Sequence, residues 1–249
     1  MNGVRPPRPN SRVLIVEDHA LFAESLELAL NLEGYDARRL PLPTQTRSTG
    51  QFLAAAQRLH PRVVLLDLDL GAFGDGVRLI HPLAASGANV VVVTASADRS
   101  RWGECLSYGA RKTLAKTQPL NEILSVVRRI HQGLPVVEAA EKERLLQQWD
   151  EHRREVEDQR RRLDSLTARE REVLARLQEG VTVRDIARLN VVSEATVRTQ
   201  VKSILAKLGV TSQLAAVGLA HNAGWHPPQD DPVSTPLDAR ARLERFDTG

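Results

Sequence analysis

The sequence predicts a doubly wound α/β domain with a five-stranded parallel sheet, then a helical linker and a small all-α domain. Three observations carry that prediction. Residues 12–134 alternate short β-branched apolar runs with longer helical patterns, the order that builds a parallel sheet covered on both faces. Residues 138–165 contain neither Gly nor Pro and are densely charged. Residues 166–224 hold short amphipathic stretches punctuated by Gly180 and Gly209.

The predicted strands are Arg12–Val16, a weaker one near Tyr35–Leu40, Val63–Leu66, Asn89–Val93, and a weak last one at Arg111–Ala115. Continuous apolar runs of this length suit strands buried on both faces. Helices are expected at 20–32, 46–59, 76–86, 98–108 and 118–132, with Gly34, Gly87, Gly109 and Gly133 ending or following them. In the charged stretch, Leu145, Trp149, His152, Val156, Gln159, Leu163 and Leu166 repeat at heptad spacing. A solvated linker helix over 135–165 and a short dimerising coil both fit that seam. Thr167–Glu170 forms a capping box, and Thr182 and Ser193 are further N-caps, so four helices are expected at about 168–178, 183–189, 194–208 and 212–223. Residues 1–11 read as a disordered arm without the apolar core of a secretory signal. Residues 225–249 read as a Pro-rich disordered tail in which LDARARLERF is a possible last helix.

Composition narrows the class. No apolar run approaches the ~20 residues that span a bilayer, so no membrane partner is expected. Cys105 is the only cysteine, which rules out an internal disulfide and a cysteine-based zinc finger and fits a cytoplasmic setting. The net charge of +3 does not by itself imply nucleic acid; the distribution of charge has to be read.

Ligands of an open parallel sheet bind beyond the carboxyl ends of its strands. The first strand ends in Glu17-Asp18, the third in Asp67 followed by Asp69, the fourth in Thr94 and the fifth near Lys116. Any one of these, taken alone, reads as a turn former or helix cap. Together they place carboxylates, a hydroxyl and an ammonium on one rim. Clustered carboxylates favour a hard cation such as Mg²⁺, and a carboxylate beside Mg²⁺ can take up a phosphoryl group. The pieces VLIVEDH (13–19), VVLLDLDLGAFGDG (63–76), VVVVTAS (90–96) and GARKTLAK (109–116) resemble, in the same order, the receiver domains of response regulators, a flavodoxin-like fold. The resemblance implies that Asp67 accepts phosphate from a sensor histidine kinase. It also implies that Glu17, Asp18, Asp67 and the backbone carbonyl of Asp69 hold Mg²⁺, that Thr94 senses the phosphate and that Lys116 pairs with it. Lys112 and Thr113 stand where the family commonly has Gly and an aromatic, and the loop after Asp69 lacks the common Met-Pro.

In the last domain, Val197, Val201, Ile204, Leu205 and Leu208 form one apolar face of a helix. The opposite face carries Ala195, Arg198, Thr199, Lys202 and Ala206, which suits a major groove and, read alone, also suits a solvated basic face. The stretch resembles the helix-turn-helix output domain of the LuxR/NarL/FixJ group through its LTxREREVL run, its DIAxxLxVSxxTV pattern and its KLGV ending. It departs from that group at Asn190, Gln200 and Gln213. The resemblance implies a double-stranded DNA partner, with Arg198 and Thr199 near bases and Thr196, Lys202 and Lys207 near phosphates. It also implies a homodimer on DNA through the helix at 212–223. The expected function is therefore a two-component transcriptional regulator and not an enzyme, beyond slow self-dephosphorylation. One alternative is an atypical receiver that controls DNA binding without phosphorylation. Another is an aspartyl-phosphate phosphohydrolase of the haloacid-dehalogenase type, which LLDLDL resembles but on the wrong strand.

Overall fold

A computed structural model describes residues 11–42 and 49–226. Residues 1–10 of the expected arm, residues 227–249 of the expected tail and the start of the helix expected at 46–59 lie outside the described residues, whereas Ser11 is buried and Trp225 packs against the core of the last helices. The chain divides at His152/Arg153 into two compact units.

In the first unit, strands β1 (Arg12–Val16), β2 (Asp36–Arg39), β3 (Val63–Leu66), β4 (Asn89–Thr94) and β5 (Lys112–Ala115) form one sheet in the order β2-β1-β3-β4-β5. Every pairing is parallel, with Val13 opposite Val63, Val63 opposite Asn89 and Val91 opposite Lys112. Successive side chains point to opposite faces, and here both faces are buried. Leu14, Val16, Val64, Leu66, Val90 and Val92 pack with helices α2 (Thr49–Arg58), α3 (Val77–Ala85) and α4 (Arg99–Ser107). Val13, Ile15, Val63, Leu65, Val91 and Val93 pack with α1 (Ala20–Leu32) and α5 (Leu120–His131). This explains the unbroken apolar runs. Each fully buried Val, Leu or Ile contributes roughly 1.5–3 kcal/mol.

Helix α6 (Ala139–Asp164) is shared between the units. Its Leu145 is buried in the first unit's core, whereas Leu163 and the following Leu166 are buried in the second unit's core. The two ends of the heptad seam are thus occupied within the chain, and Trp149, His152, Val156 and Gln159 lie between them.

The second unit packs α7 (Ala168–Gln178), α8 (Val183–Leu189), α9 (Glu194–Leu208) and α10 (Gln213–Asn222) around Leu174, Ile186, Val197, Ile204 and Leu208. Hydroxyl caps set the starts: Thr167 in a reciprocal capping box with Glu170, then Thr182, Ser193 and Ser212. Gly209 ends α9 at φ 68°, a left-handed turn that costs glycine no Cβ clash. Leu189, which a helical period running from Ile186 would turn toward this core, is 60% exposed, and Asn190 takes the half-buried place at the end of α8. Over seven residues a one-position shift in register is invisible to a 3.6-residue period.

Candidate functional site

The carboxyl ends of β1, β3, β4 and β5 bring the expected residues into one cleft. Asp67 is buried at the end of the central strand, its side chain only 2% exposed. One of its oxygens accepts the Leu68 N–H at 2.7 Å, and the other lies 2.7 Å from the Lys116 Nζ. The same ammonium lies 2.8 Å from Glu17 Oε1, which also accepts the His19 N–H at 3.0 Å. His19 Nδ1 sits 3.0 Å from Asp18 Oδ1. Ligating atoms of Glu17, Asp18, His19 and Asp67 all lie within 4.8 Å of one another. Asp69 and Thr94 line the cleft with Asp67 and Lys116. The Asp69 carboxylate is turned back to accept the Gly71 N–H at 3.2 Å, and Thr94 Oγ accepts the Ser96 N–H at 3.1 Å. Gly76 keeps the loop tight, because a Cβ there would strike the Asp67 carbonyl.

The electrostatics are unbalanced toward negative charge. Burial raises the Glu17 carboxyl above its ordinary range, and hydrogen bonds from Lys116 and His19 only partly offset this. Burial alone would lower Lys116, but hydrogen bonds to Asp67 and Glu17 outweigh it and hold the ammonium charged. One ammonium therefore faces three clustered carboxylates. An oxygen-rich donor set with excess negative charge fits a hard divalent cation.

Sequence reasoning missed three features of the cleft. His19 joins the acidic cluster from the turn before α1. Arg101 on α4 reaches the cleft and pairs with Asp75 at 2.6 Å. Trp102 donates its indole N–H to the Ser96 carbonyl at 2.9 Å. His19 was legible as the last residue of the VLIVEDH run; the other two depend on where α4 docks. Thr113 is buried on β5, and Lys112 Nζ lies 3.5 Å from Glu141 of α6.

In the second unit, Ala195, Thr196, Arg198, Thr199, Lys202 and Ala206 are all exposed along α9, while Val197, Val201, Ile204 and Leu208 face the core. Local contacts order this face. Thr196 Oγ is 2.9 Å from the Ser193 cap, Thr199 Oγ donates to the Ala195 carbonyl at 3.0 Å, and Arg198 lies 3.5 Å from Glu194. Lys207 is placed differently. Its Nζ is 2.7 Å from Glu170 Oε2, and Glu170 also accepts from Ser203 Oγ at 2.7 Å and the Thr167 N–H at 2.7 Å. Burial opposes ionisation of Glu170, but these bonds win and take its carboxyl down to about 2.

The sequence model of the response regulator receiver domain matches residues 13–128, and that of the luxR family of bacterial regulatory proteins matches residues 164–220. The chain belongs to the luxR-type response regulators. A nitrate/nitrite response regulator protein homolog of Haemophilus influenzae is 27% identical over 210 residues, which cover 84% of this chain and 95% of the relative. The transcriptional regulatory protein LnrK of Bacillus subtilis is 28% identical over 212 residues, covering 82% and 94%. Among solved structures, the Salmonella typhimurium RcsB response regulator aligns with a TM-score of 0.45 at 20% identity, covering 86% of this chain and 100% of that one. This response regulator thus joins a receiver domain, which holds the acidic cleft, to a LuxR-type DNA-binding domain, which holds α9. That is the composition of the transcriptional response regulators of two-component systems. Among its described residues, no single helix is long and apolar enough to cross a membrane.

Proposed function

We propose that a sensor histidine kinase phosphorylates Asp67 and that this modification switches binding of α9 to double-stranded DNA. The observation that carries the reading is the Asp67 carboxylate: buried, held by Lys116 at 2.7 Å, and beside ligating atoms of Glu17, Asp18 and His19. In the transfer, an Asp67 carboxylate oxygen bonds to phosphorus while the bond from phosphorus to the kinase imidazole nitrogen breaks. The nitrogen keeps that electron pair and takes up a solvent proton. Lys116, already charged and placed, pairs with the phosphoryl oxygens, and the Thr94 hydroxyl donates to one of them. Glu17, Asp18, Asp67 and the Asp69 carbonyl would hold Mg²⁺, which would supply further neutralisation of the phosphoryl oxygens.

On the DNA side, Arg198 and Thr199 meet base edges, and Thr196 and Lys202 meet phosphates. Lys207 belongs to the same set, but its ammonium is engaged by Glu170, so a phosphate would have to share it. A homodimer through α10 sets two copies of α9 on adjacent half-sites. A cytoplasmic location goes with these partners.

The test is intact mass after incubation with Mg²⁺ and a small phosphodonor. The wild-type chain is expected to gain one phosphoryl mass and Asp67→Asn none. Equal gain in both would move the acceptor elsewhere.

A further inference from the structure

We propose that Trp102 is a positioning residue that carries the phosphorylation of Asp67 from Thr94 to the first half of α6. The proposal rests on the reading of Asp67 as phosphoacceptor and adds the route out of the cleft. The route is a continuous set of short contacts. Thr94 Oγ, almost fully buried, accepts the Ser96 N–H at 3.1 Å. The Ser96 carbonyl accepts the Trp102 indole N–H at 2.9 Å. Trp102 sits on α4, partly buried against the core, with the Arg99 guanidinium over its ring. The next residue, Gly103, touches α6: a Cβ there would collide with the Leu145 carbonyl and the Trp149 Cβ.

The loop between Thr94 and α4 is poorly able to absorb a displacement. Ser96 Oγ accepts the Asp98 N–H at 3.3 Å, and Asp98 caps α4 by accepting the Ser100 N–H at 2.9 Å. Every second residue from Thr94 to Ser100 is therefore tied to its neighbour. A hydroxyl has one hydrogen to donate, and a phosphoryl group offers three strong acceptor oxygens. Turning the Thr94 hydroxyl to an acceptor on Asp67 swings its oxygen about χ1, between staggered wells. The Ser96 amide then follows or loses its acceptor. Either result moves the Ser96 carbonyl to which Trp102 is bonded. With no space between Gly103 and α6, motion of α4 at this point changes how Leu145 and Trp149 seat.

The chain has three tryptophans, so a fluorotryptophan-labelled full-length protein gives three fluorine resonances. Spectra are recorded before and after incubation with Mg²⁺ and acetyl phosphate, with occupancy of Asp67 read by intact mass on the same sample. Trp102→Phe assigns its own signal, keeps an aromatic ring against the core and removes the indole N–H donor together with the second ring. In the wild-type chain both the Trp102 and Trp149 resonances are expected to move on phosphorylation. In Trp102→Phe the phosphoryl mass gain is expected at wild-type extent, while the Trp149 shift falls to less than about a fifth. A Trp102 signal that stays put in phosphorylated wild type, or a full Trp149 shift in phosphorylated Trp102→Phe, overturns the relay and leaves the phosphoacceptor standing. No mass gain in wild type overturns both. If Trp102→Phe does not fold, Trp149→Phe and Trp225→Phe assign the Trp102 resonance by elimination, and its response in the wild-type chain decides.

Discussion

Lys116 touches two carboxylates at once, so Asp67 is a paired anion rather than a buried charge without a partner. Removing one member of a buried charged set leaves the other uncompensated. Two other residues give predictions independent of phosphorylation. Burial pushes the Cys105 thiol up to about 12, and thiol reagents act on the thiolate. Cys105 is expected to resist a maleimide in the native chain and to react once denaturant unfolds the receiver; rapid native labelling, read by mass, would contradict its placement. Glu170 is the reverse case, its carboxyl lowered from 4.5 to about 2. The stability it contributes is complete above the ordinary carboxylate value and fades as pH falls from that value toward 2. Glu170→Gln is expected to cost on the order of 2 kcal/mol at neutral pH, with a smaller loss in acid, measured by denaturant unfolding across pH.

Two elements carry the consequences, α4 and α9. Gly103 lets α4 approach α6 to backbone contact, so Gly103→Ala is expected to destabilise the first unit by about 1–3 kcal/mol through overpacking, seen as a lower thermal midpoint. On α9, Arg198→Ala is expected to cost roughly 1–3 kcal/mol of DNA affinity and relax sequence preference, whereas Lys202→Ala weakens all sequences alike and reduces the salt slope by about 1. Most elements were legible in the sequence because their signals are local. The strands Arg12–Val16 and Val63–Leu66 are continuous apolar runs, and Thr167, Thr182 and Ser193 announce the helices that they cap. What was not legible depends on docking. The heptad seam of α6 could not show that Leu145 and Leu163 would be taken up by different cores of the same chain, since an apolar residue looks the same whichever surface buries it. The exposure of Leu189 was hidden for a similar reason, in a helix too short for its period to fix a face.

At the scale of the whole molecule, a receiver and a LuxR-type output domain share one chain whose net charge is only +3. On the proposed reading, DNA affinity comes from the local face of α9 and is expected to fall with salt in proportion to the phosphates it neutralises. The acidic cleft was readable from sequence because Glu17, Asp67, Thr94 and Lys116 each close a different strand, and a parallel sheet gathers those ends on one rim. The contacts that lead out of the cleft, Asp75 to Arg101 and Ser96 to Trp102, join segments whose meeting only the fold decides. The most direct measurement is the affinity of the full chain for a duplex selected from a random pool, with and without Mg²⁺ and a phosphodonor, for wild type and Asp67→Asn. Phosphorylated wild type is expected to change its affinity by tenfold or more while Asp67→Asn does not respond. Identical affinities for wild type, phosphorylated wild type and Asp67→Asn would contradict control through Asp67 and leave DNA binding by the LuxR-type domain governed by something else.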